Sequence, residues 1–295
     1  MSEFKRALTG GKFVITTEIG PPKGVSLETV FRELECVRGR VDAVNVTDQQ
    51  SSVMRLGAIV TSKNLKDNGF EPICQFACRD RNRIALQSDI LSAYALGIRN
   101  VLVMTGDHPL LGDHPQAKAV YDLDSIGLLH AIKELQDGRD IAGNKLESVP
   151  SFCVGAVVNP GADPLEPEII KMEKKVCEGA WFFQTQAVFD PGLFGEFIKA
   201  IKHLRGRIKL LGGIVPLRSV KMARYMNANI PGVAIPDAII ETMENAADVE
   251  KESVAISADI VASIREMCDG VHFMPVRGNH LVARILDKMS FRLDR

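Results

Sequence analysis

Short apolar runs alternate with longer stretches of helical period along almost the whole chain. KFVITTEI (12–19) leads into SLETVFRELECVRGR (26–40), where Val30, Leu34 and Val37 mark one helical face, Ser26 is placed to cap it and Glu28 sits in the first turn. VDAVNVTDQ (41–49) precedes a helix around 52–67, EPICQFAC (71–78) one around 82–96, and IRNVLVMTGD (98–107) one around 124–136. The rhythm then repeats: PSFCVGAVVNP (150–160) with 166–179, AWFFQTQAVFD (180–190) with 192–204, IKLLGGIVPL (208–217) with 219–228, and GVHFMPV (270–276) with 279–290. Strands that alternate with helices pair in parallel. Eight such units predict an α/β fold of the (β/α)8 TIM-barrel class, one catalytic domain over 1–295, with an extra helical passage at 236–268 before the last strand. No GxGxxG follows the first strand, which argues against a dinucleotide-binding open sheet.

Composition narrows the function classes. A formal charge of −1 gives no electrostatic footprint for nucleic acid. No apolar stretch is long enough for a membrane, and the N-terminal MSEFKRALTGGKFVITTEIGPP is too interrupted for a signal peptide, so a cytoplasmic protein is expected. The six cysteines form no CxxC pair, consistent with reduced, mostly buried thiols. Cys74 and Cys78 on one face of a strand would stand about 13 Å apart, too far to share a metal.

A barrel places its chemistry at the carboxyl ends of the strands. Those ends read Glu18; Thr47, Asp48 and Gln49; Gln75; Thr105, Gly106 and Asp107; Asn159; Gln184 and Gln186; Pro216; and Arg277, Gly278 and Asn279. Such a polar ring on apolar staves is more than core filling requires, because buried polar groups are costly without partners. In VMTGDHP (103–109) the strand stops in a glycine and an acid, which fits either a turn or a site. Glu18, stiffened by the following Pro21 and Pro22, is the candidate general acid. Gln184 and Gln186, two apart on a strand, are expected on one face, where amides suit an uncharged heterocycle. Lys171, Lys174 and Lys175 cluster on one helix, either as a solvated face or to hold phosphate. His108, His114 and His130 read as loop or surface residues without metal-ligand spacing, and no metal site is expected.

These pieces resemble one known family. EIGPPKG (18–24) is similar to the Glu-x-x-Pro-Pro opening of the methylenetetrahydrofolate reductases, VTDQQS (46–51) to their second-strand Thr, GDHP (106–109) to their Gly-Asp-x-Pro, and TQAVFD (185–190) to their Thr-Gln-x-x-x-Asp. The resemblance implies a flavin barrel that makes methyltetrahydrofolate from methylenetetrahydrofolate. Glu18 would be its acid, Asp107 would face flavin and pterin and stabilise a cationic folate, and Gln186, with Gln184, would hold the pterin. Thr47, Gln75, Met104, Thr105, Gly106, Asp107, Tyr121 and Asp122 would line the flavin, and Asn159, Glu168, Lys171, Lys174 and Lys175 its ribityl, phosphate and adenine parts.

The sequence departs from the family at three places. Gln75 replaces a His, Thr105 replaces an Arg, and Met226, beside Tyr225, stands where well-known bacterial members carry an aromatic residue on the seventh helix. The first two leave the cofactor as FAD or FMN. The third leaves two electron donors open: NAD(P)H, or a zinc- and iron–sulfur-containing subunit beside which the barrel works as a folate-binding catalytic subunit inactive alone. A homo-oligomer or a hetero-complex fits equally.

Overall fold

Each of the eight apolar runs forms a strand, and each strand is shorter than its run because the polar ends turn outward into loops. The computed structural model describes residues 1–230, 232–276 and 278–293, with side chains as far as Met289; Arg277 lies outside the described residues. The chain runs α1 (Glu3–Thr9), β1 (Val14–Ile19), α2 (Glu28–Leu34), β2 (Ala43–Val46), α3 (Ala58–Asp67), β3 (Pro72–Ala77), α4 (Arg83–Ala95), β4 (Asn100–Met104), α5 (Ser125–Gln136) and β5 (Cys153–Val158). It continues through α6 (Glu166–Cys177), β6 (Phe182–Ala187), α7 (Pro191–Ala200), β7 (Lys209–Ile214), α8 (Val220–Asn229), α9 (Asp237–Glu244), α10 (Val249–Ile264), β8 (Gly270–Phe273) and α11 (Asn279–Leu293). The strands close in sequence order into a parallel barrel, sealed where β1 pairs with β8 through Val14↔Gly270 and Thr16↔His272.

The period of two sorts each strand. Outward residues such as Val44, Val101, Val103, Phe183 and Val271 join the large core between sheet and helices. Inward residues at the amino ends, Val14, Ala43, Ile73, Leu102, Cys153, Phe182 and Leu211, form a second apolar cluster. Gly155 belongs here because a Cβ would stand 2.3 Å from the Phe182 ring.

The floor is completed by α1, which the alternation of runs did not predict. Its Phe4 and Leu8 cap the inner cluster. Phe4 meets Phe182 edge-on at 5.1 Å, and the Ser2 hydroxyl donates to Asn100 Oδ1 at 2.6 Å. Its seven residues are short for a helical period to register.

Three boundaries differ from the sequence reading. Leu27, not Ser26, holds the cap position of α2, and the Ser26 hydroxyl only accepts the Glu28 N–H at 3.4 Å. The helix expected from residue 52 begins at Ala58, because Gln49, Ser51 and Ser52 take left-handed φ of 50°, 55° and 57°. The passage at 236–268 is two helices, the second capped by Asp248, whose carboxylate accepts the Lys251 N–H.

Cysteine placement gives a direct check. Burial pushes the thiols of Cys74, Cys78 and Cys153 up to about 12 and that of Cys268 to about 11, whereas Cys36 and Cys177 are exposed. Alkylation of the native protein at neutral pH, mapped by peptide mass spectrometry, is expected to label Cys36 and Cys177 and to spare the other four until denaturant is added.

Candidate active site

Above the apolar floor the barrel-facing positions turn polar. Asn45 and Gln184 face each other across the barrel as a reciprocal amide pair: Asn45 Nδ2 donates to Gln184 Oε1 at 2.6 Å and Gln184 Nε2 donates to Asn45 Oδ1 at 3.1 Å. Gln184 Nε2 also reaches the Thr16 hydroxyl at 3.5 Å. Thr16 in turn lies 2.9 Å from His272 Nδ1 and donates to the Val271 carbonyl at 3.3 Å. His272 Nε2 stands 3.7 Å from Glu18 Oε2. Glu18 is held from behind by Asn279, whose Nδ2 donates to the Glu18 carbonyl while its Oδ1 accepts from Thr17.

Over this layer opens a cavity of about 680 Å³ at the carboxyl ends of the strands. One side carries Glu18, Gln186, His272 and Met274; the other carries Thr47, Gln75, Met104, Thr105, Gly106 and Asp107 and runs on to Glu168, Lys171 and Lys175. On this second wall the Thr47 hydroxyl is buried with no hydrogen-bond partner, and Gln75 beside it is 6% exposed. Buried polar groups left unpaired by the protein point to a ligand that pairs them. Gly106 has φ +91°, and a Cβ there would crowd Ala77 and Arg79 at 3.2 and 3.3 Å, so the wall is flat where its backbone passes.

Charge is distributed unevenly along this wall. Lys175 is buried, its Nζ donating to the Val157 carbonyl at 2.7 Å, and burial pulls its ammonium below the ordinary lysine range. Exposed Lys171 lies one turn earlier on the same face, and Glu168 accepts the Asn159 N–H at 3.0 Å. Asp48 is a buried carboxyl pushed upward by desolvation against the pull of Arg81, its ion-pair partner, and of the Ala77 N–H.

The family model for methylenetetrahydrofolate reductase matches residues 3–290. The chain belongs to that family. It is 26% identical over 271 residues to 5,10-methylenetetrahydrofolate reductase of Salmonella typhimurium, covering 89% of this chain and 86% of that protein. It is also 26% identical over 254 residues, 78% of its length, to methylenetetrahydrofolate reductase 2 of Schizosaccharomyces pombe, of which it spans 37%. Among solved structures, an uncharacterized protein from Clostridium thermocellum that binds two copies of 5-methyl-5,6,7,8-tetrahydrofolic acid shares the fold, with a TM-score of 0.69 and 18% identity over all of both chains.

The reductase-family motifs converge on the cavity, but not every expected residue does. Asn159, Tyr121, Asp122 and Lys174 are not among its lining residues. Tyr121 supports the wall from behind, its hydroxyl donating to the Gly106 carbonyl at 3.1 Å. Asp122 holds the start of α4 by pairing with Arg83 at 2.9 Å, and Asn159 Oδ1 accepts the Gly161 N–H at 3.1 Å. Lys174 is exposed, three residues from Lys171 and turned off the face that Lys171 and Lys175 share. Gln184 lines the cavity floor with its amide already engaged by Asn45. Gln186, two residues on, lines the same cavity at its exposed rim. On α8, Met226 is buried and Tyr225 is 62% exposed, and neither lines the cavity.

Sequence reading missed His272, Asn45 and Arg79. The signal for the first two was a polar residue inside the apolar runs GVHF and AVNV, at the parity that faces the barrel. The amide pair makes a stability test: Gln184→Leu leaves Asn45 buried without its partner, and urea denaturation is expected to show a loss of about 1–3 kcal/mol, whereas Gln186→Leu at the exposed rim changes stability by less than about 0.5 kcal/mol.

Proposed function

We propose that the chain reduces 5,10-methylenetetrahydrofolate to 5-methyltetrahydrofolate in this cavity with the help of a bound flavin. The observation that carries the reading is one cavity that holds an acid, Glu18 beside His272, together with a buried, unpaired Thr47 hydroxyl and the polar side chains of the β3 and β4 exits. The wall fits the cofactor: the unpaired Thr47 hydroxyl and the Gln75 amide would hydrogen-bond a heterocycle edge, Gly106 would leave room for a planar ring, and Lys171 and Lys175 would hold its phosphate. When bound, the flavin supplies the hydride.

The protein's own part is acid chemistry and positioning. The one-carbon bridge of the substrate joins N5 and N10, and it accepts hydride only after the bond to N10 breaks. A proton from Glu18 to N10 carries that bond's electron pair onto N10 and leaves an N5 iminium cation. Asp107, on the rim at the end of β4, supplies the anion that stabilises this cation, and Gln186 offers its amide to the pterin. His272, with Nε2 3.7 Å from Oε2, stands beside the Glu18 carboxyl and limits where it can swing.

Two observations favour an electron source other than NAD(P)H in solution. Buried Met226 and outward Tyr225 give the cavity no aromatic platform from α8 on which nicotinamide would stack. In this reading the barrel is a catalytic subunit that receives electrons from a zinc- and iron–sulfur-containing partner, and NADH oxidation with an artificial acceptor is expected to be slow in the isolated chain.

The purified protein is expected to be yellow, to bleach on reduction and to recolour when methylenetetrahydrofolate is added; extraction identifies FAD or FMN, and a colourless protein without flavin affinity overturns the proposal. Glu18→Gln is expected to keep flavin reduction and lose folate turnover by about 100-fold or more. Lys175→Met is expected to weaken flavin binding by about tenfold in a fluorescence titration, while Lys174→Met, on the outer face, binds as the parent does. In the parent, flavin affinity falls as rising pH discharges Lys175, and this fall is lost in Lys175→Met.

A further inference from the structure

The turn after β2 is made of residues that resist its geometry. Gln49, Ser51 and Ser52 are all left-handed, a conformation that costs energy in any residue but glycine. Such strain persists only where surrounding contacts over-determine it. Arg79, 2% exposed, supplies them: Nη2 donates to the Gln49 carbonyl at 3.2 Å, and Nη1 donates to Ser52 Oγ at 3.0 Å and to the Asp107 carbonyl at 3.2 Å. Its two remaining N–H groups are on Asp80, at 2.8 and 2.6 Å, so all five donors are used. The Gln49 side chain closes the other end of the turn on the backbone of Arg55, at 2.7 and 3.2 Å.

This strapped turn delivers Gln50 to the cavity. Gln50 Nε2 lies 3.4 Å from Glu18 Oε1, while His272 faces Oε2. The acid is therefore held between an imidazole from β8 and an amide from the β2 exit.

We propose that Gln50 is a positioning residue for Glu18 and that the strained turn, clamped by Arg79, serves to place its amide there. The proposal rests on the reading of Glu18 as the acid of folate reduction. An acid that delivers a proton passes from a carboxyl that donates a hydrogen bond to a carboxylate that only accepts. An amide answers both forms, giving its NH2 to the charged one and, after a half-turn, its carbonyl oxygen to the neutral one. Of the ionisable groups in the described cavity lining, His272 on β8 faces Glu18; the others are Asp48 on the β2 exit, Arg79 from the β3 exit, Asp107 on the β4 exit, Asp124 before α5, and Glu168, Lys171 and Lys175 on α6.

The test uses the flavin-loaded protein and its Gln50→Leu and Gln50→Glu variants. Flavin is reduced with dithionite, the excess removed, and reoxidation by methylenetetrahydrofolate followed in single turnovers from pH 6 to about 9, with melting temperature and flavin content as folding controls. Gln50→Leu is expected to slow reoxidation about tenfold at saturating folate, with the folate concentration for half-maximal rate changed less than about threefold. Gln50→Glu places a second carboxyl beside the first, and two that share a site resist ionising together. The fall of its rate at high pH should move upward by about one pH unit. Folded, flavin-loaded variants that reoxidise at the parental rate with an unmoved pH profile overturn the role of Gln50. A parent that holds flavin but is not reoxidised by the folate overturns the reading of the activity, and the role of Gln50 with it.

Discussion

The site depends on a change of character halfway up the inside of the barrel. Below, α1 and the strand beginnings fill the interior with side chains such as Phe4 and Phe182. Above, Asn45, Gln184, Thr16 and His272 occupy the same inward parity and satisfy one another with hydrogen bonds. An interior amide tolerates burial only when paired. The pairing of Asn45 with Gln184 lets a polar layer sit on an apolar floor, and it gives Glu18 a fixed imidazole beneath it.

The fold was legible because its signal is local. Each βα unit carries its own switch from period two to period 3.6, and eight switches in order leave few architectures besides a barrel. α1 escaped because seven residues hardly establish a period, and because its role as a plug is defined only by strands far away in sequence. The late start of α3 escaped for a different reason: left-handed Gln49, Ser51 and Ser52 are stabilised by Arg79 from the next strand, so nothing within the turn announces its shape.

The same division between local and distant information runs through the site. Position at the carboxyl end of a strand is decided locally, and Glu18, Thr47, Gln75 and Asp107 all stand at one mouth. Parity also brought Gln184 and Gln186 to the same cavity, but it could not show that Gln184 spends its amide on a partner 139 residues away. His272 is the clearest case. Its neighbours Thr16 and Glu18 lie on the first strand, and only closure of the barrel makes the last strand adjacent to it.

Thr105 and Arg79 show how such distant information changes a chemical conclusion. Read along the sequence, Thr105 is a lost cation by comparison with the family the chain resembles. The hydrogen bonds argue otherwise. Thr105 Oγ1 accepts the Ser125 N–H at 3.3 Å and ties β4 to the start of α5. Arg79 has every N–H engaged by protein and none left for a ligand, so its charge fixes the β2 turn and the Asp107 carbonyl instead of reading an anion. Among the described lining residues, the lysines left to meet an anionic ligand are Lys171 and Lys175 on α6. In strand order the acid on β1 and the lysines that follow β5 are separated by the exits of β2, β3 and β4, so acid chemistry and anion recognition stand apart in one cavity.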